Sequence, residues 1–131
     1  MSVQGVDYPA DAEGNAELGG TGGPTMAKLA EKAITACPKT KLVLSGYSQG
    51  AMVVHSALST FDGGKVSAIA VFGDPLNGEA FKGVDKSKVI EVCGSSDFIC
   101  DRGPTNVSGS HLSYGSDAQK AADFIVKATG L

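Results

Sequence analysis

A serine between two glycines is the first sign of chemistry in this sequence. Ser48 lies in the pentapeptide GYSQG, after the apolar run KLVL and before AMVVHSAL, where apolar residues recur at helical spacing. A strand, a sharp turn and a helix in this order form a nucleophile elbow, which needs small residues on both sides, here Gly46 and Gly50. The alternative is an ordinary glycine-rich turn, because a chain with 18 glycines can contain this pattern by chance.

A nucleophilic serine needs a base, and the sequence contains two histidines. His55 follows Ser48 on the same predicted helix, about 10 Å along its axis, which is too far for proton transfer. We therefore expect His55 to pack or to form a local hydrogen bond. His111 lies in a loop rich in glycine and serine after the last predicted strand, and it is the candidate base. The alternative for His111 is an ordinary histidine of a surface loop.

The base in turn needs a carboxylate that orients it. Asp74, Asp97 and Asp101 all lie in the chain order serine, aspartate, histidine that is typical of α/β-hydrolases. Asp97 is favoured because it lies in the short loop CGSSDFIC, just beyond a predicted strand. Asp101 is the second choice, and Asp74 is expected to cap or turn the chain after its strand.

The three cysteines bear on the redox compartment of the protein and on the stability of its fold. A disulfide between Cys93 and Cys100 would close a short loop, stabilise the fold by about 2–3 kcal/mol and imply an oxidising environment. The alternative is a pair of reduced core cysteines. The spacing fits no zinc pattern, so neither a metal nor a cofactor is predicted. Cys37 has no partner in the sequence.

The composition describes a globular chain of 131 residues, which we interpret as a single domain over 1–131. A hydrophobic content of 42% excludes a disordered chain, and a net charge of −3 without charge runs does not favour nucleic acid or a membrane surface. No apolar stretch reaches the length of a membrane span. The first residues, MSVQGVDYPADAEG, do not resemble a signal peptide, so the chain is either cytosolic or starts after a removed signal.

The hydrophobic pattern predicts alternating strands and helices. The predicted elements are a weak strand at 1–8, a loop at 9–24, a helix at 25–37, strands at 41–45, 66–73 and 88–92, a helix at 49–59, irregular chain at 93–115 and a last helix from 116. Ser116 and Gln119 would form a capping box for that helix. This order predicts a parallel sheet covered on both faces, with the site at the carboxyl ends of its strands.

Four segments together resemble the cutinase family, the small secreted serine esterases that include acetylxylan esterases. They are CPKTKLVLSGYSQGAMVV, AVFGDPLNG, KVIEVCGSSDFIC and HLSYG. The resemblance implies a minimal α/β-hydrolase, a three-layer sandwich with a mainly parallel sheet. It also implies a triad of Ser48 as nucleophile, His111 as base and Asp97 as orienting acid, with the backbone N–H of Gln49 in the oxyanion hole. Asn15 resembles, more loosely, a residue of a loop that supports this hole indirectly.

The chain differs from the family pattern at its start. Members usually begin with a further strand, central in the sheet, a loop that carries the second oxyanion donor, and a cysteine that would pair with Cys37. We therefore expect an N-terminally shortened cutinase-like chain that lacks the usual first strand. Loss of one oxyanion donor typically reduces turnover about 10²–10³-fold. The contrasting interpretation is an inert structural or interaction module, and the uncovered sheet would favour self-association.

The predicted function is therefore that of a secreted serine esterase that hydrolyses carboxylic esters through an acyl-enzyme. An open site at a strand edge would admit polymeric esters of the cutin type. The segment DRGPTNVSGS before His111 has few apolar residues, which favours short-chain or more polar esters instead. An esterase of acetylated carbohydrates is the close alternative. Asn106 begins a glycosylation sequon in the same segment.

Overall fold

The computed structural model describes residues 1–94, 96–102 and 110–131. The sequon at Asn106 and most of the polar segment before His111 lie outside these described residues. The helices are α1 (Ala12–Ala16), α2 (Gly23–Ala36), α3 (Gln49–Ala57), α4 (Phe98–Arg102) and α5 (Ala118–Thr129), and the strands are β1 (Leu42–Tyr47), β2 (Val66–Phe72) and β3 (Val89–Val92).

The three strands form one parallel sheet in the order β1-β2-β3. The central strand β2 is rich in β-branched and small apolar residues, as is typical of a strand that is buried on both faces. Helices α2 and α3 pack together on the face of β1, and α5 packs against β2. The layers therefore follow the predicted α/β sandwich, and the carboxyl ends of all the strands meet at one edge of the sheet.

The N-terminal segment differs from the prediction. Residues 1–10 form no regular secondary structure, so the weak strand predicted at 1–8 is wrong. Val6 and Tyr8 nevertheless pack against the core, which explains why apolar residues occur there. The loop predicted at 9–24 contains the short helix α1, whose first turn is capped by the carboxylate of Asp11, which accepts a hydrogen bond from the Gly14 N–H at 3.1 Å.

The capping box predicted for the last helix is also wrong. Ser116 lies in a 3₁₀ turn, Tyr114–Asp117, and α5 begins only at Ala118. The side chain of Gln119 instead donates a hydrogen bond to Asp123 one turn later, at 2.8 Å. The helix ends at Gly130, which adopts the left-handed conformation with φ of 73°.

Strand β1 pairs on one side with β2, and on its other side lies a groove of about 570 Å³. Apolar side chains of α2, β1 and α5 line this groove, among them Met26, Leu29, Leu42, Leu44 and Ile125.

Among the described residues, no helix combines the length and the hydropathy that a transmembrane passage requires.

Candidate active site

The turn at Ser48 has the backbone of a nucleophile elbow. Ser48 joins the end of β1 to the start of α3 with φ of 58° and ψ of −120°, a region that residues other than glycine rarely adopt. Its N–H donates to the carbonyl oxygen of Phe72 at 2.9 Å, which ties the turn to the neighbouring strand. The strained conformation is therefore held by the sheet, and it presents the hydroxyl at the sheet edge.

The two glycines of the motif are not equivalent. A Cβ atom on Gly46 would lie 2.2 Å from the carbonyl oxygen of Gly50, so the close approach of strand and helix requires glycine at 46. A Cβ atom on Gly50 would have its nearest neighbour, the hydroxyl oxygen of Tyr8, at 3.8 Å. The expectation that position 50 needs glycine to avoid a collision is therefore wrong.

Ser48, His111 and Asp97 form one hydrogen-bonded line. His111 Nε2 lies 2.8 Å from Ser48 Oγ, and His111 Nδ1 lies 2.8 Å from Asp97 Oδ2. His111 and Asp97 are only 2% and 0% exposed, respectively. An ionised Asp97 can only accept, so Nδ1 carries the proton and Nε2 is free to accept from the serine hydroxyl. The structure thus brings the three predicted residues together in the geometry of general-base activation.

Asp97 is held by donors on both carboxylate oxygens. Oδ1 accepts from the Ile99 N–H at 2.9 Å, and Oδ2 accepts from the Tyr114 hydroxyl at 2.5 Å in addition to His111. Burial raises the pKa of the Asp97 carboxyl, but the hydrogen bonds from Tyr114, His111 and Ile99 together bring this pKa below its ordinary value. Asp97 therefore stays ionised at neutral pH. Asp101, the second choice, is an exposed residue of α4.

The predicted disulfide between Cys93 and Cys100 is present, and it closes the loop that carries Asp97. One cysteine of the pair directly follows β3, and the other lies in α4, so the bond joins both sides of the Asp97 turn. This covalent link restricts the motion of the carboxylate. Cys37 is a free, exposed cysteine.

Besides Tyr114, two residues beside this hydrogen-bonded line were given no role by the sequence. Gly73 follows β2 with φ of 58°, and a Cβ atom there would lie 2.7 Å from the His111 ring and 3.1 Å from Asp97 Oδ2. The only sequence signal was a glycine at the end of a buried strand. Tyr47 donates its hydroxyl to the carbonyl oxygen of His111 at 2.7 Å, and the centres of the two rings are 5.1 Å apart. It fixes the backbone of His111 and contacts the imidazole.

Gln49 is the first residue of α3, where a backbone N–H has no partner within the helix. Its side chain donates to Asn15 Oδ1 at 2.9 Å and to the carbonyl oxygen of Asp11 at 2.6 Å. A Cβ atom on Gly14 would lie 2.4 Å from Gln49 Oε1, so the glycine leaves room for this side chain. Helix α1 therefore packs over the start of α3, and Asn15 lies beside Gln49, the proposed oxyanion donor.

His55 lies apart from the triad in a second polar cluster. Its Nε2 is 2.8 Å from Asp74 Oδ2, and its ring stacks on Phe81 with centres 3.9 Å apart. Asp74 Oδ1 accepts from the Leu76 N–H at 2.8 Å, so Asp74 turns the chain as expected. Burial, followed by the interaction with Asp74, raises the pKa of Glu91 to about 8. Ligand atoms of His55, Asp74 and Glu91 lie within 4.8 Å of one another, which is close enough to hold a metal ion.

A parallel, helix-covered sheet with a nucleophile elbow at its carboxyl edge defines an α/β-hydrolase-like fold. The family model for cutinase matches residues 1–129, and the chain belongs to the cutinase family. It is 55% identical over 130 residues to cutinase 4 of Emericella nidulans, covering 99% of this chain and 56% of that protein. It is 41% identical over 135 residues to the cutinase of Botryotinia fuckeliana, covering 100% of this chain and 66% of that protein.

Solved structures agree with this assignment. The Trichoderma reesei cutinase in complex with a C11Y4 phosphonate inhibitor superposes with a TM-score of 0.90 at 40% identity, over 96% of this chain and 58% of that chain. An acetylxylan esterase superposes with a TM-score of 0.75 at 22% identity, over 95% of this chain and 81% of that chain, which supports the fold alone. The chain spans between half and two thirds of the length of the curated relatives described above.

Proposed function

We propose that this chain carries the catalytic machinery of a secreted serine esterase, which hydrolyses carboxylic esters through an acyl-enzyme on Ser48. The observation that supports this most strongly is the line of two 2.8 Å hydrogen bonds from Ser48 Oγ through His111 to the buried Asp97. A strained serine backbone at the start of a helix is the second support.

In the acylation step, His111 Nε2 takes the proton of Ser48 as its Oγ attacks the ester carbonyl carbon. Asp97 stabilises the imidazolium that forms. The carbonyl oxygen becomes negatively charged and accepts from the Gln49 N–H at the start of α3. The C–O bond to the alcohol then breaks, and the imidazolium returns its proton to the leaving alkoxide. The products of this step are the free alcohol and an ester of Ser48.

Deacylation repeats the same steps with water in place of the serine. His111 Nε2 removes a proton from a water molecule, the resulting oxygen attacks the acyl carbon, and the C–O bond to Ser48 breaks. The imidazolium then protonates Ser48 Oγ, which restores the free enzyme and releases the carboxylic acid. The interaction of Asn15 with the Gln49 side chain would keep the start of α3 in place through both steps.

Apolar side chains next to the triad support esters with an apolar acyl chain. Tyr47, Phe98 and Leu112 are 45%, 42% and 71% exposed, and each directly adjoins one of the three candidate residues in the sequence. Large apolar side chains that stay exposed beside a reactive group can contact the acyl chain of an ester. Because the site lies open at the edge of the sheet, Ser48 could also reach ester groups on a polymer from this side. The disulfide supports an oxidising, extracellular location.

The proposal is tested by hydrolysis of p-nitrophenyl acetate, butyrate and octanoate and of acetylated xylan. We expect turnover of the p-nitrophenyl esters that is lost in Ser48→Ala and reduced at least about 10³-fold in His111→Gln. His55→Gln is the matched control, since it removes the other histidine and should retain the activity of the folded protein. Activity in Ser48→Ala, or folded wild-type protein without activity on any of these esters, would contradict the proposal; the second result would favour an inert module.

A further inference from the structure

Tyr114 binds the same carboxylate oxygen of the candidate acid as the imidazole of His111. It is 8% exposed, and its hydroxyl donates to Asp97 Oδ2 at 2.5 Å. The same hydroxyl oxygen accepts from the Gly94 N–H at 2.8 Å and lies 3.6 Å from Cys100 Sγ. A single hydroxyl therefore joins the turn after His111, the loop closed by the disulfide and the carboxylate of Asp97.

The hydroxyl shares one carboxylate oxygen with the imidazole. Asp97 Oδ2 accepts both from Tyr114 and from His111 Nδ1, whereas Oδ1 accepts from the backbone. A donor of this kind withdraws charge from the oxygen and fixes the rotation of the carboxylate. Burial and, next, the bond to Asp97 raise the pKa of the Tyr114 hydroxyl to about 12, so it remains a donor across the working range of an esterase.

The ring of Tyr114 is held independently of its hydroxyl. It packs against Phe72 with ring centres 6.0 Å apart and against His111, edge to face, with centres 6.3 Å apart. A phenylalanine would keep these contacts and remove only the oxygen. The effect of the hydroxyl on Asp97 can therefore be separated from the packing of the side chain.

We propose that Tyr114 is a positioning residue for the orienting acid: its hydroxyl fixes the Asp97 carboxylate and limits the negative charge that Asp97 presents to His111. The inference deepens the proposed function and rests on it for its kinetic readout. The hydroxyl of Tyr114 acts through Asp97, to which it is hydrogen-bonded.

The kinetic test compares Tyr114→Phe with the wild-type protein, with Tyr8→Phe as the matched control. We expect kcat to fall about tenfold with KM changed less than twofold, because the carboxylate loses part of its orientation. The acid limb of the pH–rate profile should move to higher pH, since Asp97 with one donor fewer stabilises the imidazolium more strongly. A purely structural tyrosine would lower Tm and leave the limb in place. An unmoved acid limb, or kcat within twofold of the wild type, would overturn the inference.

A second variant keeps the test independent of any folding defect. We would place 3-fluorotyrosine at position 114, which preserves the size of the ring and makes the hydroxyl a stronger donor. The acid limb should then move to lower pH, opposite to its direction in Tyr114→Phe. A shift in the same direction as in Tyr114→Phe, or no shift, would contradict the proposed charge sharing.

A spectroscopic readout separates this inference from the proposed function. The proton on His111 Nδ1 should give a far-downfield NMR resonance that is lost in His111→Gln and kept in His55→Gln. In Tyr114→Phe we expect this resonance to move further downfield, because the remaining bond to Asp97 strengthens. If the protein hydrolysed no ester, the proposed function would fail, and this resonance would still decide the role of Tyr114. An unchanged resonance would overturn it.

Discussion

The close fit of Gly73 against the histidine and aspartate leads to the most direct prediction about the site. In Gly73→Ala the new Cβ would lie 2.7 Å from His111 Cε1 and Nδ1, whereas ordinary contacts begin at 3.4 Å. The imidazole would have to withdraw by about 0.7 Å to relieve this overlap. The positive φ of 58° adds a backbone penalty of about 1–2 kcal/mol for any residue with a Cβ atom.

A displacement of that size is sufficient to break the hydrogen bonds of the proposed triad. Both hydrogen bonds of the His111 ring measure 2.8 Å, and a shift of about 0.7 Å along either would lengthen it to about 3.5 Å. That distance exceeds the reach of a general base, which is about 2.6–3.2 Å. We therefore expect kcat/KM of Gly73→Ala to fall about 10²-fold, a typical effect of misplacing a catalytic group.

The matched control is Gly78→Ala. Gly78 also has a positive φ, of 100°, but nothing lies within 4 Å of its added Cβ, so the control carries the backbone penalty without the steric contact. Hydrolysis of p-nitrophenyl butyrate and thermal unfolding would be measured for both variants. Both should lose stability, and only Gly73→Ala should lose activity. Equal activity of the two folded variants, within about threefold, would refute the steric argument.

Three further predictions concern stability. Gly46→Ala should destabilise the fold by about 1–3 kcal/mol through overpacking, whereas Gly50→Ala should be neutral or stabilise it by about 0.5–1 kcal/mol; urea unfolding of both variants checks this, and equal losses would contradict it. Glu91 has its pKa raised from 4.5 to about 8 in the folded state, so its stabilising contribution is complete below about pH 4.5 and is lost as the pH rises through about 8. Replacing Glu91 by Gln should flatten this slope of unfolding free energy against pH, and an unchanged slope would contradict the raised pKa of Glu91. Replacing Cys93 and Cys100 together by Ser should destabilise the protein by about 2–3 kcal/mol and reduce the activity of the folded fraction. If stability and activity were both unchanged, the disulfide would not hold the Asp97 loop.

The sequence predicted the sheet better than the segments around it. The strands at 42–47 and 66–72 were predicted to within two residues, because both are short, continuous apolar runs. The segment 1–8 was predicted as a weak strand, yet Val6 and Tyr8 pack on the core without pairing. Such packing depends on tertiary contacts that leave no periodic pattern.

The candidate site, like the fold, could be predicted from the sequence only in part. Ser48 was predicted from its local pattern, and His111 and Asp97 were predicted from chain order together with what a serine nucleophile requires; the structure places the three side chains within hydrogen-bonding distance. The roles of Gly73, Tyr47 and Tyr114 were not predicted, because they arise from distances across the fold and not from neighbours in the sequence. A glycine at the end of a strand, such as Gly73, is common and does not by itself indicate a functional role. The same holds for a tyrosine three residues after a histidine, such as Tyr114.

The central claim, an activated nucleophile at Ser48, is tested most directly by the site of covalent labelling. The folded protein would be incubated with an alkyl fluorophosphonate and digested, and the modified residue would be identified by mass spectrometry. We predict a single adduct on Ser48, absent in Ser48→Ala and formed far more slowly in His111→Gln. A folded protein that remains unlabelled, or an adduct that persists when Ser48 is replaced, would contradict it.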